Sequence, residues 1–64
     1  MFSQWELDLF SDMVRYGEII QDKQEITTSG FYRYYTVKYE NEIYNLTRCN
    51  GEWIYFHHVI NGLA

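Results

Sequence analysis

The spacing of hydrophobic and polar residues changes near residue 30. After that point, β-branched and aromatic residues are dense, and polar turn residues interrupt them at regular intervals, as in a series of short strands. This pattern predicts a three-stranded antiparallel meander. The predicted strands lie at about 31–39, 42–49 and 52–59.

Two short turns are expected to connect these strands. Asn50-Gly51 is the stronger signal, because a type I′ hairpin turn requires positive φ at both central residues. The earlier turn is expected near Glu40-Asn41-Glu42. Whether its two-residue loop is Glu40-Asn41 or Asn41-Glu42, the same side chains share a face of the sheet. With a regular loop at Asn50-Gly51, the predicted pairs are Cys49 with Glu52, Arg48 with Trp53, Leu46 with Tyr55, Tyr44 with His57, and Ile43 with His58.

Alternation along the strands gives the predicted sheet one apolar face and one mixed face. We expect the helix to pack on the apolar face, since burying those residues stabilises the fold most. The apolar face contains Arg33, Tyr35, Val37, Tyr39, Tyr44, Leu46, Arg48, Trp53, Tyr55, His57 and Val59. The mixed face contains Tyr32, Tyr34, Thr36, Lys38, Ile43, Asn45, Thr47, Cys49, Glu52, Ile54, Phe56 and His58.

The first half of the chain begins with a helix signal. Ser3 and Glu6 have the spacing of a capping box, in which each residue's side chain binds the other's backbone amide. Gly17 is expected to end the helix by taking the left-handed conformation just past the last turn. The predicted helix therefore covers about 4–16.

The apolar stripe of this helix is wide. Its apolar residues spread over about 200° of the circumference at 100° per residue. One sheet face covers roughly half of such a stripe. The remainder is expected to meet residues 18–28 folded back over it, a second copy of the chain in a homodimer, or a partner. The stripe consists of Trp5, Leu7, Leu9, Phe10, Met13, Val14 and Tyr16.

Residues 17–30 have the weakest pattern. Their isoleucines and threonines suit one or two short extended pieces around a turn at Asp22-Lys23. The helix could equally continue through Gly17 at a cost of about 1 kcal/mol.

Together these patterns predict an α+β fold. An N-terminal helix packs on a three-stranded antiparallel β-meander, with an additional short strand near 18–22 and a tail at 60–64. Residues 1–64 are expected to form a single small domain, because so short a chain buries only about 60% of its unfolded surface. Aromatic residues make up 20% of the chain and can supply most of a small core. The predicted core is Trp5, Leu9, Met13, Val37, Leu46, Trp53 and Tyr55.

The charge of the chain is acidic and unevenly distributed. The net charge is −4, which disfavours direct binding to nucleic-acid phosphates. Residues 1–30 contain most of the excess, with Arg15 and Lys23 as the bases. The acids of this half are Glu6, Asp8, Asp12, Glu18, Asp22 and Glu25.

The reactive side chains near the predicted hairpin do not form a site. Regular alternation places His57 and His58 on opposite faces, so they cannot bind one metal ion together. Cys49 and His58 share a face but lie roughly 20 Å apart along the strands, whereas a catalytic dyad needs about 3 Å. We therefore expect no metal, no cofactor, no catalytic residues and no enzyme activity.

The expected location is the cytoplasm, without a membrane contact. A single cysteine cannot form an internal disulfide, and the chain does not open with a basic and then apolar leader. No apolar run approaches the roughly 18 residues that span a bilayer.

The leading functional hypothesis is a small protein-binding module. Tyr32, Tyr34, Ile54 and Phe56 are expected to form an aromatic patch on the mixed face, and such residues are enriched at the centres of protein interfaces. The partner would be a larger protein that the module regulates or inhibits. From the short, acidic, tyrosine-rich composition we expect an inhibitor of a host enzyme, of the type that phages or mobile elements carry.

Two alternatives stay open. In the first, the acids Glu6, Asp8, Asp12, Glu18, Asp22 and Glu25 mimic phosphates and occupy the groove of a DNA- or RNA-binding protein. In the second, Tyr32, Tyr34 and Phe56 stack on the bases of a single-stranded nucleic acid while Arg33 and Lys38 contact its phosphates. The negative net charge disfavours the second alternative.

Overall fold

The computed structural model describes residues 1–60 and shows an N-terminal helix packed on a four-stranded antiparallel sheet. The predicted α+β class is confirmed, and the additional strand is full length. The strands follow chain order across the sheet, β1-β2-β3-β4. The elements are α1 (Gln4–Tyr16), β1 (Glu18–Thr27), β2 (Gly30–Tyr39), β3 (Glu42–Cys49) and β4 (Glu52–Val59). In the predicted tail, residues 61–64 lie outside the described residues.

Helix α1 begins as the capping residues predict. The Ser3 amide donates to Glu6 Oε1 at 2.8 Å, which satisfies one of the free amides at this helix end. Gly17 ends the helix, but its φ of −79° is extended, so the predicted left-handed cap is wrong. The absence of a side chain matters instead, because a Cβ there would lie 2.9 Å from the Lys38 carbonyl oxygen. No helix in residues 1–60 has the length and apolar character needed to cross a membrane.

Residues 18–27 form one long edge strand. β1 pairs with β2 along its whole length, with a bulge at Ile20. The turn expected at Asp22-Lys23 does not exist, and the chain reverses after Thr27 instead. All ten residues of β1 are exposed. These residues therefore do not fold back over the helix, and that expectation is wrong.

The two short turns of the meander form as predicted. Asn50 and Gly51 both have positive φ, at 51° and 86°, as a type I′ turn requires. Glu40 and Asn41 also have positive φ, at 51° and 67°, and form the loop between β2 and β3. The β2–β3 register then follows the regular alternation on which the predicted faces depend.

The β3–β4 register departs from the prediction after its second pair. Arg48 pairs with Trp53 as expected, but Thr47 pairs with Tyr55, so Ile54 is an extra residue in a β-bulge. A one-residue shift turns every later side chain to the other face. The predicted pairs of Leu46 with Tyr55, Tyr44 with His57 and Ile43 with His58 are therefore wrong. The observed pairs are Leu46 with Phe56, Asn45 with His57, Tyr44 with His58, and Ile43 with Val59.

The core lies between α1 and the sheet face that we call the helix side. Phe10 is at its centre, stacked on Phe56 at 4.9 Å between ring centroids and edge-on to Trp53 at 6.2 Å. Two members of the predicted core are wrong, because Trp5 is 68% exposed and Tyr55 is 49% exposed. Leu9 is half-buried against the core. The buried residues are Phe10, Met13, Tyr35, Val37, Leu46 and Trp53.

Candidate functional site

The sheet has a second face, turned away from α1, which we call the open face. No other helix or strand of residues 1–60 packs over it. The pairing of the four strands, together with the two bulges, determines which side chains lie on this face. The open face consists of Glu18, Gln21, Lys23, Glu25, Tyr32, Tyr34, Thr36, Lys38, Ile43, Asn45, Thr47, Cys49, Glu52, Tyr55, His57 and Val59.

Three tyrosines are at the centre of the open face. Tyr34 and Tyr55 flank Thr47 in one row across β2, β3 and β4. Tyr32 stacks beside Tyr34 with ring centroids 6.3 Å apart and an angle of 10° between the rings. Tyr55 is the most exposed of the three. Tyrosine combines apolar area with a hydroxyl that can bond to a partner.

The neighbours of these tyrosines fix their positions. The Tyr34 hydroxyl donates to Glu25 Oε1 at 3.1 Å, which links β2 to the edge strand. Partial burial and this hydrogen bond raise the pKa of Tyr34 above its usual value. The hydroxyl is therefore a neutral donor at physiological pH. One row away, Thr36 Oγ1 donates to Asn45 Oδ1 at 2.9 Å, so polar groups of the face are already paired within the sheet.

The predicted aromatic patch does not lie on a single face. Tyr32 and Tyr34 are on the open face, but Phe56 is on the helix side, against Phe10. Ile54 is at the bulge and faces a groove beside α1. Tyr55 stands opposite Thr47, where Ile54 was expected, and His57 stands opposite Asn45, where Phe56 was expected. Strict alternation along β4 cannot predict this shift, because the extra residue at Ile54 moves every later side chain by one position.

The six acids of the first half are divided between α1 and β1. Two of them complete the helix, since Glu6 binds the Ser3 amide and Asp8 accepts from the Gln4 side chain at 3.0 Å. Asp8 and Asp12 are exposed one turn apart on the helix, and Glu18 begins β1.

Asp22 and Glu25 of β1 bind side chains of β2. Asp22 accepts two hydrogen bonds from Arg33, at 2.7 and 3.0 Å. Hydrogen bonding to Arg33 holds the pKa of Asp22 below its usual value. Glu25 accepts the Tyr34 hydroxyl. Arg33 offsets the charge of Asp22, and the Tyr34 hydroxyl occupies one oxygen of Glu25 without removing its charge.

The three reactive residues of the last hairpin stay apart. His57 is on the open face and His58 on the helix side, so the predicted separation of the histidines is confirmed. His58 stacks on Tyr44 at 4.8 Å, and its Nε2 lies 2.7 Å from Glu42 Oε1. Because of the bulge, Cys49 shares its face with His57 rather than His58, which corrects the prediction. Two rows separate the Cys49 and His57 positions, roughly 13 Å along the strands.

The described residues contain no group of three or more histidine, cysteine, aspartate or glutamate side chains placed to hold a metal ion. Comparison of the chain with protein-family models, curated proteins and solved structures gives no match.

Proposed function

We propose that this chain is a non-enzymatic protein-binding module that regulates or inhibits a larger partner protein, with the open face as its contact surface. The observation that supports this proposal is the uncovered row of Tyr34, Thr47 and Tyr55 at the centre of the sheet. Tyrosines held by a rigid sheet lose little conformational freedom on binding, and they are enriched among the residues that dominate interface energies.

The size of the open face indicates how much of the module the partner must cover. Four strands spaced about 4.8 Å apart and four rows spaced about 6.6 Å apart give a surface of roughly 14 by 20 Å. This is less than the area of about 800 Å² that each partner contributes to a standard interface. A stable complex would therefore extend onto an edge of the sheet, where the exposed residues of β1 adjoin the open face.

The two alternatives have weaker support. The platform for single-stranded nucleic acid needs Tyr32, Tyr34 and Phe56 on one surface, but Phe56 and Arg33 belong to the helix side. Phosphate mimicry needs free carboxylates. Asp22 is neutralised by Arg33, and Glu25 is bound by Tyr34.

A comparison of tyrosine variants tests the proposal. The chain is immobilised, and the partner is captured from the native host and identified by mass spectrometry. Its affinity for Tyr34→Ser/Tyr55→Ser should fall at least tenfold, because two central interface tyrosines are lost. The matched control is Tyr16→Ser, since Tyr16 is an exposed tyrosine of α1 away from the open face.

The variants must keep the circular dichroism spectrum of the parent chain. Equal affinity of the parent and the double variant would contradict the proposal. Light scattering of the purified chain, with and without the captured protein, distinguishes a different partner from a second copy in a homodimer.

A further inference from the structure

Two arginines lie directly opposite each other on the helix side. Arg33 of β2 pairs with Arg48 of β3, next to the Asn50-Gly51 turn. Like charges in this arrangement destabilise a sheet unless counter-charges compensate them. Arg33 has such a counter-charge, because Asp22 binds two of its nitrogens.

Arg48 has no such counter-charge within the described residues. No hydrogen bond or ion pair to its guanidinium forms within residues 1–60, and its Nε is buried without a partner. A buried donor left unpaired lowers the stability of the fold, and in native proteins such a group usually has a partner such as an ion or a water. Within residues 1–60, Arg48 therefore keeps a buried donor without a partner on the helix side.

The surroundings hold the Arg48 guanidinium in place. It lies 4.4 Å from the centre of the Trp53 ring, a distance at which a cation is attracted to an aromatic face. Trp53 is itself buried and donates from Nε1 to Ser11 Oγ at 3.3 Å. An arginine fork that is already positioned loses less freedom when it binds a planar oxyanion.

A groove opens beside Arg48, between the first half of α1 and the β3–β4 hairpin. Its volume is about 760 Å³, within the usual range for ligand sites. A smaller cavity of about 120 Å³ lies between Arg48 and Arg33. The apolar wall of the groove consists of Met1, Phe2, Leu7, Trp53 and Ile54. Its charged residues are Asp8 and Arg48, and Glu52 borders it at the start of β4 with its side chain assigned to the open face.

We propose that this groove binds an acidic peptide segment, with an aspartate or glutamate carboxylate on Arg48 and a neighbouring apolar side chain against Phe2, Leu7 and Ile54. The site lies on the opposite side of the sheet from the open face and does not depend on the function proposed for that face.

The charge of the groove favours a carboxylate over a phosphate. Asp8 lines the same groove, and its carboxylate repels a doubly charged phosphate more strongly than a singly charged carboxylate. The groove is only partly enclosed, which favours a peptide over a small acid. A free small molecule binds well when most of its surface is buried, whereas a peptide adds contacts through the residues on either side.

Nuclear magnetic resonance of the ¹⁵N-labelled chain tests the proposal. The Arg48 Nε–H and Trp53 Nε1–H signals are the local reporters. The probe is N-acetyl-Phe-Asp-amide, and the matched probe is N-acetyl-Phe-Asn-amide, which differs in charge and not in shape. We expect saturable shifts of both signals, with affinity for the aspartate peptide at least tenfold higher than for the asparagine peptide.

Arg48→Gln should remove that tenfold preference, and Arg15→Gln should keep it, because Arg15 is an exposed arginine of α1 outside the groove. If Arg48→Gln does not fold, the affinities of the two peptides for the parent chain still test whether the groove prefers a carboxylate. Equal responses to both peptides, or no saturable shift at millimolar peptide, would overturn the proposal. Equal affinity for 3-phenylpropionate would also overturn it, because a small acid would then suffice.

Discussion

Trp53 is the residue where the contacts of the helix side meet. Its ring lies 6.2 Å from Phe10 and 5.8 Å from Tyr35 between centroids, and Arg48 covers it. Its indole also bonds to Ser11 of the helix. A single side chain thus joins α1 to β2 and β3, so truncating it removes packing from three elements at once.

We expect Trp53→Ala to lower the free energy of unfolding by about 3–5 kcal/mol, because removing a buried ring loses its transfer energy and leaves a cavity. Trp5→Ala is the matched control. Trp5 is 68% exposed, and its loss should change stability by no more than about 0.5 kcal/mol. Urea denaturation followed by circular dichroism measures both values. Similar losses for the two variants would show that Trp53 does not anchor the core.

Residue burial was predictable only where alternation was regular. Met13, Val37, Leu46 and Trp53 belong to the predicted core and are buried. Tyr55 is exposed because the bulge at Ile54 turns it to the open face. A bulge adds one residue without changing composition or hydrophobicity, so nothing in the local sequence distinguishes it from a regular strand.

Among the elements, β1 is the one whose length the sequence did not predict. A strand covered on one side alternates apolar and polar residues, and that alternation is what identifies it. All ten residues of β1 are exposed, so neither of its faces carries an apolar pattern. The helix, in contrast, has a capping box and a terminal glycine, and the hairpin has Asn50-Gly51. Local signals of this kind do not depend on the rest of the fold.

The bulge gives a test at the level of the strand. Deleting Ile54 should leave the chain folded, because Trp53 and Tyr55 then become neighbours on alternate faces and every later pair keeps its partner. Deleting Asn45 is the control. That deletion lies in a regular part of β3 and turns one end of the strand over. Backbone contacts between Thr47 and Tyr55, observed by nuclear magnetic resonance, should persist after the first deletion. Loss of this pairing after deletion of Ile54 would contradict the assigned bulge.

The Asp22–Arg33 pair gives β1 a pH-dependent attachment to β2. Hydrogen bonding to Arg33 lowers the pKa of Asp22 in the folded chain. The pair therefore adds stability above the unfolded pKa, and this contribution is lost as the pH falls through the lower folded pKa. We expect the parent chain to be more stable than Asp22→Asn at neutral pH and equal to it in strong acid. Urea unfolding between pH 7 and pH 2 measures the difference, and a constant difference would contradict the assignment.

At the scale of the whole molecule, the charges and the tyrosines are on different surfaces. The net charge is −4, but the open face carries Lys23 and Lys38 among its acids and is close to balanced. Helix α1 exposes Asp8 and Asp12 on the other side of the molecule. The surface that a partner contacts can therefore be recognised from the salt dependence of its binding.

We expect the affinity of the captured partner to change less than about threefold between 50 and 500 mM NaCl. Salt screens exposed charges that lie more than roughly 10 Å apart at 0.1 M, and it affects apolar contacts little. Asp8→Asn/Asp12→Asn should also leave the affinity within about twofold, since neither carboxylate belongs to a near-neutral tyrosine surface. Isothermal titration calorimetry at the two salt concentrations measures both effects. A steep loss of affinity in high salt, together with a loss of affinity in the aspartate variant, would contradict binding through the tyrosine surface. It would instead support phosphate mimicry by the acids of the helix.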